Sequence, residues 1–307
     1  MSEKSVLTAL LLFMFGIRRL IATVLLLSVY QHVMAQTLYD LPIDIVTPAV
    51  TDSAPKAGKR VRATTAGWEQ TSVYHALYLP KSHGKKVRKT PVIVEFAGNG
   101  GYRSGQDVSH GTVEDCSIGY ALSSGEAIWL CLPYIDVRDG VKQNCTLWWG
   151  DVEEAVKYCI STVNDVCKRY GGDTDRVIIA GFSRGAIGCS YIGLHDERIA
   201  SLWAGFFCHS HFDGVQQWGY PASDKASALE RLQRLNNRPV WISSEITEHG
   251  VSGVEATRQF LQEAGVKSNF TFATLPFMNH TTRWLSCDLP IRTKARLWYQ
   301  TLINFRF

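Results

Sequence analysis

The segment Gly181-Phe182-Ser183-Arg184-Gly185 constrains the fold of this chain more than any other part of it. It follows directly on the apolar run at residues 177–180 and leads into small residues, which predicts a buried strand, a sharp turn and then a helix. Such a turn lifts the serine hydroxyl above the end of a sheet, and its glycines leave room where a side chain would meet neighbouring backbone. Ser183 is therefore a candidate nucleophile, and the alternative is an ordinary strand-to-helix loop that happens to contain serine.

Apolar runs and helical spacings alternate along the rest of the chain at the intervals of βαβ units. Strands are predicted at 72–79, 92–96, 127–135, 176–180, 199–208, 239–243 and 270–275, and helices at about 112–123, 152–167, 251–264 and 290–304. This pattern predicts an α/β fold with a mainly parallel sheet and helices on both faces. We expect one domain over residues 71–307, preceded by an extended segment at 36–70.

The N-terminal 35 residues have the features of a secretory signal peptide. Arg18 and Arg19 precede an apolar run at 20–30, and Val33-Met34-Ala35 forms a small-residue cleavage site before Gln36. Met14 offers an alternative start that gives a signal of ordinary proportions. We expect a secreted or periplasmic protein after cleavage; in the alternative, the uncleaved segment anchors the chain in a membrane.

A serine nucleophile needs a base to accept its proton and an acid to orient that base. The expected order after Ser183 is acid and then histidine, each just past a strand. His280 follows the last predicted strand and precedes the C-terminal helix, so it is the candidate base. The sequence favours Glu248, in Glu-x-x-Val after the strand at 239–243, as the acid, with Glu245 and Asp213 as alternatives.

Backbone N–H groups are the expected donors to the oxyanion of such a reaction, because preorganised donors stabilise developing charge without rearranging. One is the N–H of Arg184, directly after the nucleophile. The other is expected from the glycine-rich loop after the strand at 92–96, at Asn99 or Gly100. For the Arg184 side chain, the sequence leaves open contact with an anionic substrate group or exposure to solvent.

Aromatic residues and histidines offer candidate contacts to substrate near the same end of the sheet. His209 and His211 follow the strand after the serine turn, and Trp148 and Trp149 lie in a loop where they could stack on a sugar or an aromatic acyl group. In an extended chain, His209, His211 and Asp213 would share one face as a minor metal-site alternative. We predict no metal and no other cofactor, because serine chemistry needs none.

Composition excludes several other classes of function. The net charge is +4 and no basic stripe with interleaved aromatic residues occurs, so a nucleic-acid partner is not expected. The chain has eight cysteines but no Cys-x-x-Cys pair, which disfavours structural zinc and thioredoxin-type chemistry. Membrane contact is expected only through the N-terminal segment if it stays uncleaved.

The run Asp173-Thr174-Asp175-Arg176-Val177, leading into Gly-Phe-Ser-Arg-Gly, resembles the α/β-hydrolase superfamily. The resemblance covers about residues 70–305 and is nearest to secreted esterases of the polyhydroxybutyrate-depolymerase and feruloyl or acetyl-xylan esterase type, and to prolyl-oligopeptidase-like domains. It implies Ser183 as nucleophile, His280 as base and an acid after the penultimate strand. The chain departs from the family in reading Ala-Gly-Asn-Gly-Gly where many relatives have His-Gly-x-x-Gly, and in offering glutamate where aspartate is usual.

These features together predict an exported serine hydrolase that cleaves a small or polymeric carboxylic ester through an acyl-enzyme. The alternatives are a prolyl-oligopeptidase-like serine peptidase and a binding protein that has lost activity on the same fold. The intact serine–histidine pair argues against the inactive protein, and the lack of sequence for a gating propeller argues against the peptidase.

Overall fold

The computed structural model describes residues 37–85, 89–247 and 253–304 of the chain. The predicted signal peptide at 1–35 lies outside the described residues. Residues 37–41 are the described part of a unit that ends at Leu41. They contain a short 3₁₀ helix at Leu38–Asp40. Within these described ranges, no helix combines the length and the apolar character needed to cross a membrane.

A central sheet organises residues 42–304, and in the described part of the chain it contains nine strands. All strands, including two separate hairpins, are β1 Val50–Thr51, β2 Arg60–Ala63, β3 His75–Tyr78, β4 Thr90–Phe96, β5 Tyr102–Ser104, β6 Asp107–Ser109, β7 Ile128–Leu132, β8 Tyr134–Arg138, β9 Val141–Cys145, β10 Gly172–Phe182, β11 Gly205–His209, β12 Pro239–Ser244 and β13 Asn269–Thr274.

The strand order in the sheet is β1-β2-β3-β7-β4-β10-β11-β12-β13. Six neighbouring strands of the sheet run parallel to one another, namely β7, β4, β10, β11, β12 and β13. In contrast, β3 pairs antiparallel with both β2 and β7. The prediction of a mainly parallel sheet is therefore confirmed. Two hairpins, β5–β6 and β8–β9, stand apart from the sheet.

The helices are α1 Ile118–Ser123, α2 Val152–Tyr170, α3 Arg184–Tyr191, α4 Glu197–Ala200, α5 Lys225–Leu232, α6 Gly253–Glu263 and α7 Pro290–Asn304. They cover both faces of the sheet, as predicted. On one face Phe207 of β11 and Trp241 of β12 stack in parallel with ring centroids 5.6 Å apart, and both contact Trp298 of α7. On the other face the core is filled by side chains such as Ile179 of β10, beside Gly193 just after α3.

One predicted element is wrong. The strand expected at 199–208 begins only at Gly205, because residues 197–200 form helix α4. The Asp196 side chain accepts hydrogen bonds from the N–H groups of Arg198 and Ile199, which caps the helix at its start. The apolar residues at 199–203 therefore pack as a helical turn and the loop after it.

The parallel strands β4, β10, β11 and β12 end at the same edge of the sheet. The loops that follow them begin at Ala97, Ser183, Ser210 and Glu245, respectively. Chain direction alone therefore brings side chains from four distant parts of the sequence to one place.

Candidate active site

The turn at Ser183 is as tight as its glycines suggested. Ser183 has φ 54° and ψ −118°, a conformation rare for a residue with a side chain, and it is the N-cap of helix α3. A Cβ atom on Gly181 would lie 2.0 Å from the carbonyl oxygen of Gly185, and one on Gly185 would lie 2.0 Å from that of Phe96. Only glycine fits at either position, and the strained serine conformation costs on the order of 1–3 kcal/mol that the surrounding packing must offset.

His280 stands over the serine hydroxyl. Its Nε2 atom lies 3.0 Å from Ser183 Oγ, within hydrogen-bonding distance. Three rings surround the imidazole, with centroids 4.7 Å away for Phe182, 4.8 Å for Tyr102 and 5.5 Å for His211. Only 15% of the His280 side chain is exposed, so neighbouring groups hold the ring in place while part of it stays accessible.

Glu245, the first residue after β12, contacts the other side of this imidazole. Its Oε1 atom lies 2.5 Å from His280 Nδ1. Burial raises the pKa of the Glu245 carboxyl, but the hydrogen bond with His280 and the nearby histidines outweigh burial and lower the pKa to about 2. The carboxylate is therefore charged at neutral pH and lies in line with His280 and Ser183.

The residue at this position, Glu245, is one of the two alternatives to the acid that the sequence favoured. Glu248, which the Glu-x-x-Val pattern favoured, lies outside the described residues. Asp213, the other alternative, is engaged elsewhere, because its buried carboxylate forms two hydrogen bonds with Arg231 at 2.9 and 3.1 Å. Of the two described candidates, Glu245 is the one whose carboxylate the structure brings to His280.

Sequence reasoning missed Ser210, which supports the same carboxylate. Its hydroxyl donates to Glu245 Oε1 at 2.8 Å and lies 2.9 Å from His280 Nδ1. Ser210 has a φ of 82°, so the chain turns sharply where β11 ends. The signal available in the sequence was the position of Ser210 just past a predicted strand, at the same edge of the sheet as Ser183.

Asp107 in the hairpin β5–β6 was also missed. Its Oδ2 atom accepts a hydrogen bond at 3.0 Å from the backbone N–H of His280, and the Asp107 side chain is almost completely buried. The same hairpin supplies Tyr102, whose ring packs against the imidazole. A hairpin that follows the glycine-rich loop thus fixes the loop that presents His280, and no local sequence pattern marks this contact.

The candidate oxyanion donors differ in whether the backbone N–H group already has a hydrogen-bond partner. The N–H of Gly100 donates to Thr146 O at 2.8 Å, so the expectation that Gly100 serves as a donor is corrected. The N–H groups of Arg184, at the first position of α3, and of Asn99 make no hydrogen bond to any described residue. The first N–H groups of a helix have no partner inside the helix, which leaves that of Arg184 free to bind an anion.

Two of the four candidate substrate contacts are core residues instead. His209 is fully buried, with its imidazole between Ser243 Oγ, 3.1 Å from Nδ1, and the indole N–H of Trp284, 3.0 Å from Nε2. Trp149 is 3% exposed and packs on Tyr191, with ring centroids 4.5 Å apart. The strand ends at His209 and the chain turns at Ser210, so the histidines and Asp213 do not share a face.

Trp148 and His211 do lie at the site. The His211 ring lies between His280 and Trp218, with centroid distances of 5.5 Å to each, and burial lowers its pKa to about 4, so it is neutral at physiological pH. Trp148 is 37% exposed and contacts Trp218 and Tyr220. These rings form a continuous aromatic wall that begins at His280. Over the described ranges, no group of three or more His, Cys, Asp or Glu side chains could hold a metal ion.

No family model and no curated protein matches the sequence. Solved structures do resemble the fold. An acetyl ester-xyloside bifunctional hydrolase from Caldicellulosiruptor lactoaceticus is 15% identical with a TM-score of 0.54, covering 82% of this chain and 98% of its own. Fungal esterases from Rhizomucor miehei are represented at 12% identity and a TM-score of 0.53, covering 86% and 85%. Esterase B from Lactobacillus rhamnosis is 13% identical with a TM-score of 0.50, covering 82% and 89%. The chain therefore has the α/β-hydrolase fold that its sequence resembled.

Proposed function

We propose that this chain is a serine hydrolase that cleaves carboxylic esters through an acyl-enzyme, with Ser183, His280 and Glu245 as its triad. The observation on which the proposal rests is the continuous contact from Ser183 Oγ to His280 Nε2, at 3.0 Å, and from His280 Nδ1 to Glu245 Oε1, at 2.5 Å. The geometry matches the roles of nucleophile, base and orienting acid. The strained turn that presents Ser183 supports the same assignment.

In the first half of the reaction, His280 Nε2 takes the proton of Ser183 as the serine oxygen attacks the ester carbonyl. The N–H groups of Arg184 and Asn99 bind the negative oxygen of the tetrahedral intermediate. Glu245 stabilises the imidazolium that forms. Collapse of the intermediate breaks the bond to the alcohol, which leaves with the proton from His280. A water molecule then attacks the acyl-enzyme by the same steps, releasing the acid and restoring Ser183.

The aromatic wall of His211, Trp218, Trp148 and Tyr220 supports binding of the substrate beside the nucleophile. These rings follow one another at centroid distances of 5.5–5.7 Å from His280 outward. Aromatic faces bind apolar and ring-shaped groups through their large contact area. We assign this wall to one side of the bound substrate.

Hydrolysis of p-nitrophenyl acetate and butyrate by residues 36–307 tests the proposal, with Ser183→Ala as the matched variant. We expect turnover by the parent protein, loss of at least about 10³-fold in kcat in the variant, and labelling of the parent alone by a fluorophosphonate probe. Turnover that survives in the variant contradicts the assignment of Ser183. A parent protein that neither turns over esters nor accepts the label contradicts the proposal and supports the inactive alternative, and one that cleaves peptide but not ester substrates is a peptidase.

We further propose that the chain is exported and that residues 1–35 are removed. The support is the sequence alone, with paired arginines, an apolar run and a small-residue cleavage site before Gln36. Expression of the full chain in a secreting host, followed by cell fractionation and N-terminal sequencing, tests this. A soluble exported product beginning at Gln36 supports it, whereas a product of full length in the membrane fraction supports the anchor instead.

A further inference from the structure

The guanidinium of Arg184 is buried beneath the candidate site. Its side chain is among the largest fully buried ones, so it neither faces solvent nor reaches out to a substrate. Nη1 donates to Trp148 O at 2.6 Å, and Nη2 donates to Gly98 O at 2.8 Å and to Gly111 O at 3.3 Å. Its carbon centre lies 4.0 Å from the ring centroid of Tyr134, so the cation also stacks on an aromatic face. The residue next to the nucleophile thus binds the loop that carries the predicted oxyanion donor.

Further hydrogen bonds connect the loops that Arg184 holds. Asn99 Oδ1 accepts from the N–H of Trp148 at 2.7 Å, and the N–H of Gly100 donates to Thr146 O at 2.8 Å. A Cβ on Gly98 would lie 3.1 Å from the ring of Phe182, which places this peptide directly against the residue before the nucleophile. The glycine-rich loop is therefore fixed on three successive residues.

The geometry of the peptide bond links Arg184 to the oxyanion donor. In a planar trans peptide, the C=O of one residue and the N–H of the next point in opposite directions. Arg184 binds the carbonyl of Gly98, so the N–H of Asn99 points away from the buried guanidinium. That N–H makes no hydrogen bond to any residue in the described ranges. The side-chain hydrogen bond of Asn99 to the loop at 146–148 restrains rotation of this peptide.

We propose that Arg184 is a positioning residue for the oxyanion hole, whose guanidinium fixes the Gly98–Asn99 peptide so that the Asn99 N–H is aimed at the substrate oxygen. The inference rests on the proposed esterase function and adds a residue that sets its rate. An arginine is required because its rigid fork reaches three carbonyls of separate loops at once, whereas the ammonium of lysine is a single point charge on a flexible stem. The Arg184 side chain then positions one donor, the N–H of Asn99, and the backbone N–H of Arg184 is itself the other donor.

The test compares Arg184→Lys with Arg238→Lys. Arg238 is a matched control because its guanidinium also donates to backbone carbonyls, those of Leu235, Ala200 and Trp203, but it precedes β12 and so lies at the opposite edge of the sheet. We expect kcat for p-nitrophenyl butyrate to fall about 10²- to 10³-fold in Arg184→Lys, the size of effect seen when one oxyanion donor is lost. KM should change by less than about threefold, and Arg238→Lys should keep its kcat.

Inhibition by an alkyl trifluoromethyl ketone separates positioning from a purely structural role. The ketone forms a hemiketal on Ser183 whose oxygen is negatively charged, so its inhibition constant should rise in Arg184→Lys by the same factor as kcat/KM falls. A folded Arg184→Lys protein with kcat within about threefold of the parent overturns the inference. Equal losses of kcat in both lysine variants, in proportion to lost stability, overturn it as well.

A crystal structure of the parent protein with the ketone bound needs no variant and decides the matter if Arg184→Lys does not fold. The hemiketal oxygen should lie about 3 Å from the backbone nitrogen of Asn99, with Gly98 O still bound by Arg184. A hemiketal oxygen turned away from Asn99 in an active parent protein overturns this inference alone. A parent protein without esterase activity and without fluorophosphonate labelling overturns the proposed function itself.

Discussion

Replacing Glu245 by glutamine removes one negative charge from the candidate triad with little change in shape. The carboxylate lies 2.5 Å from His280 Nδ1, and His280 becomes a cation when it accepts the proton of Ser183. The amide of glutamine cannot neutralise that cation. We therefore expect Glu245→Gln to bind substrate as the parent protein does and to lose kcat.

The size of the loss follows from the state of the carboxylate. Burial raises the pKa of Glu245, but the hydrogen bond with His280 and the electrostatic effects of His209 and His280 outweigh burial, so this pKa is about 2 against an ordinary value of 4.5. A hydrogen bond to a charged group contributes about 1.5–3 kcal/mol, and a loss of about 3 kcal/mol from the stabilisation of a transition state is roughly a 10²-fold change in rate. An amide also permits the wrong imidazole tautomer, a further loss that brings the total to about 10⁴-fold in a comparable triad. We expect kcat to fall between about 10²- and 10⁴-fold.

The assay is the hydrolysis of p-nitrophenyl butyrate by residues 36–307 at neutral pH, with urea unfolding to confirm that each variant is folded. Glu255→Gln on α6 is the matched control, since its carboxylate is 64% exposed and its ion pair with Arg258 contributes little. A Glu245→Gln variant that keeps more than about one tenth of kcat refutes the reasoning. So does a larger loss in Glu248→Gln, the variant at the position that the sequence favoured.

Three further predictions follow from single contacts. Ser210→Ala removes the hydroxyl that donates to Glu245 Oε1, and we expect kcat to fall about 5- to 20-fold with KM unchanged, measured in the same ester assay. Trp148→Ala shortens the aromatic wall, so KM for an ester that carries an aromatic ring should rise more than KM for a small aliphatic acetate ester. Equal changes in the two KM values would contradict a role of the wall in binding. His75 is buried beside Tyr158, and burial lowers the pKa of its imidazole to about 3. As the pH falls below the ordinary histidine pKa of 6.5, His75 is therefore protonated in the unfolded chain but not in the folded one. The free energy of unfolding then decreases as the pH falls. Between about pH 7 and about pH 5, urea unfolding should lose about 2 kcal/mol more in the parent than in His75→Gln, and an equal loss would contradict this reading of His75.

The positions of Ser183 and His280 in the fold could be read from sequence because strand direction determines both. An apolar strand before a Gly-x-Ser-x-Gly turn places the serine at the carboxyl edge of a parallel sheet, and a histidine after the last strand arrives at the same edge. The sheet and most helices followed from periodicity for the same reason. These features depend on local spacing, which a single sequence contains.

The choice between Glu245 and Glu248 could not be made from the same information. Both follow β12 by at most four residues in the sequence, so strand direction alone does not distinguish between them. The contact at Glu245 is set by the loop conformation and by Ser210, which arrives from the end of β11. The buried state of Arg184 was missed for a related reason, since the carbonyls that bind it belong to loops some 36 to 86 residues away in the chain.

The eight cysteines, all within the described residues, are buried and unpaired. Folding thus hides every thiol from reagents in solution, and burial raises the pKa of several of them, including Cys159 and Cys189, which further lowers their reactivity. A molecule that unfolds exposes all of them together. Brief treatment with an alkylating agent followed by mass spectrometry would therefore measure the fraction of unfolded molecules from the mass that alkylation adds. The native cysteines of this protein thus report its unfolding without a dye or an engineered label.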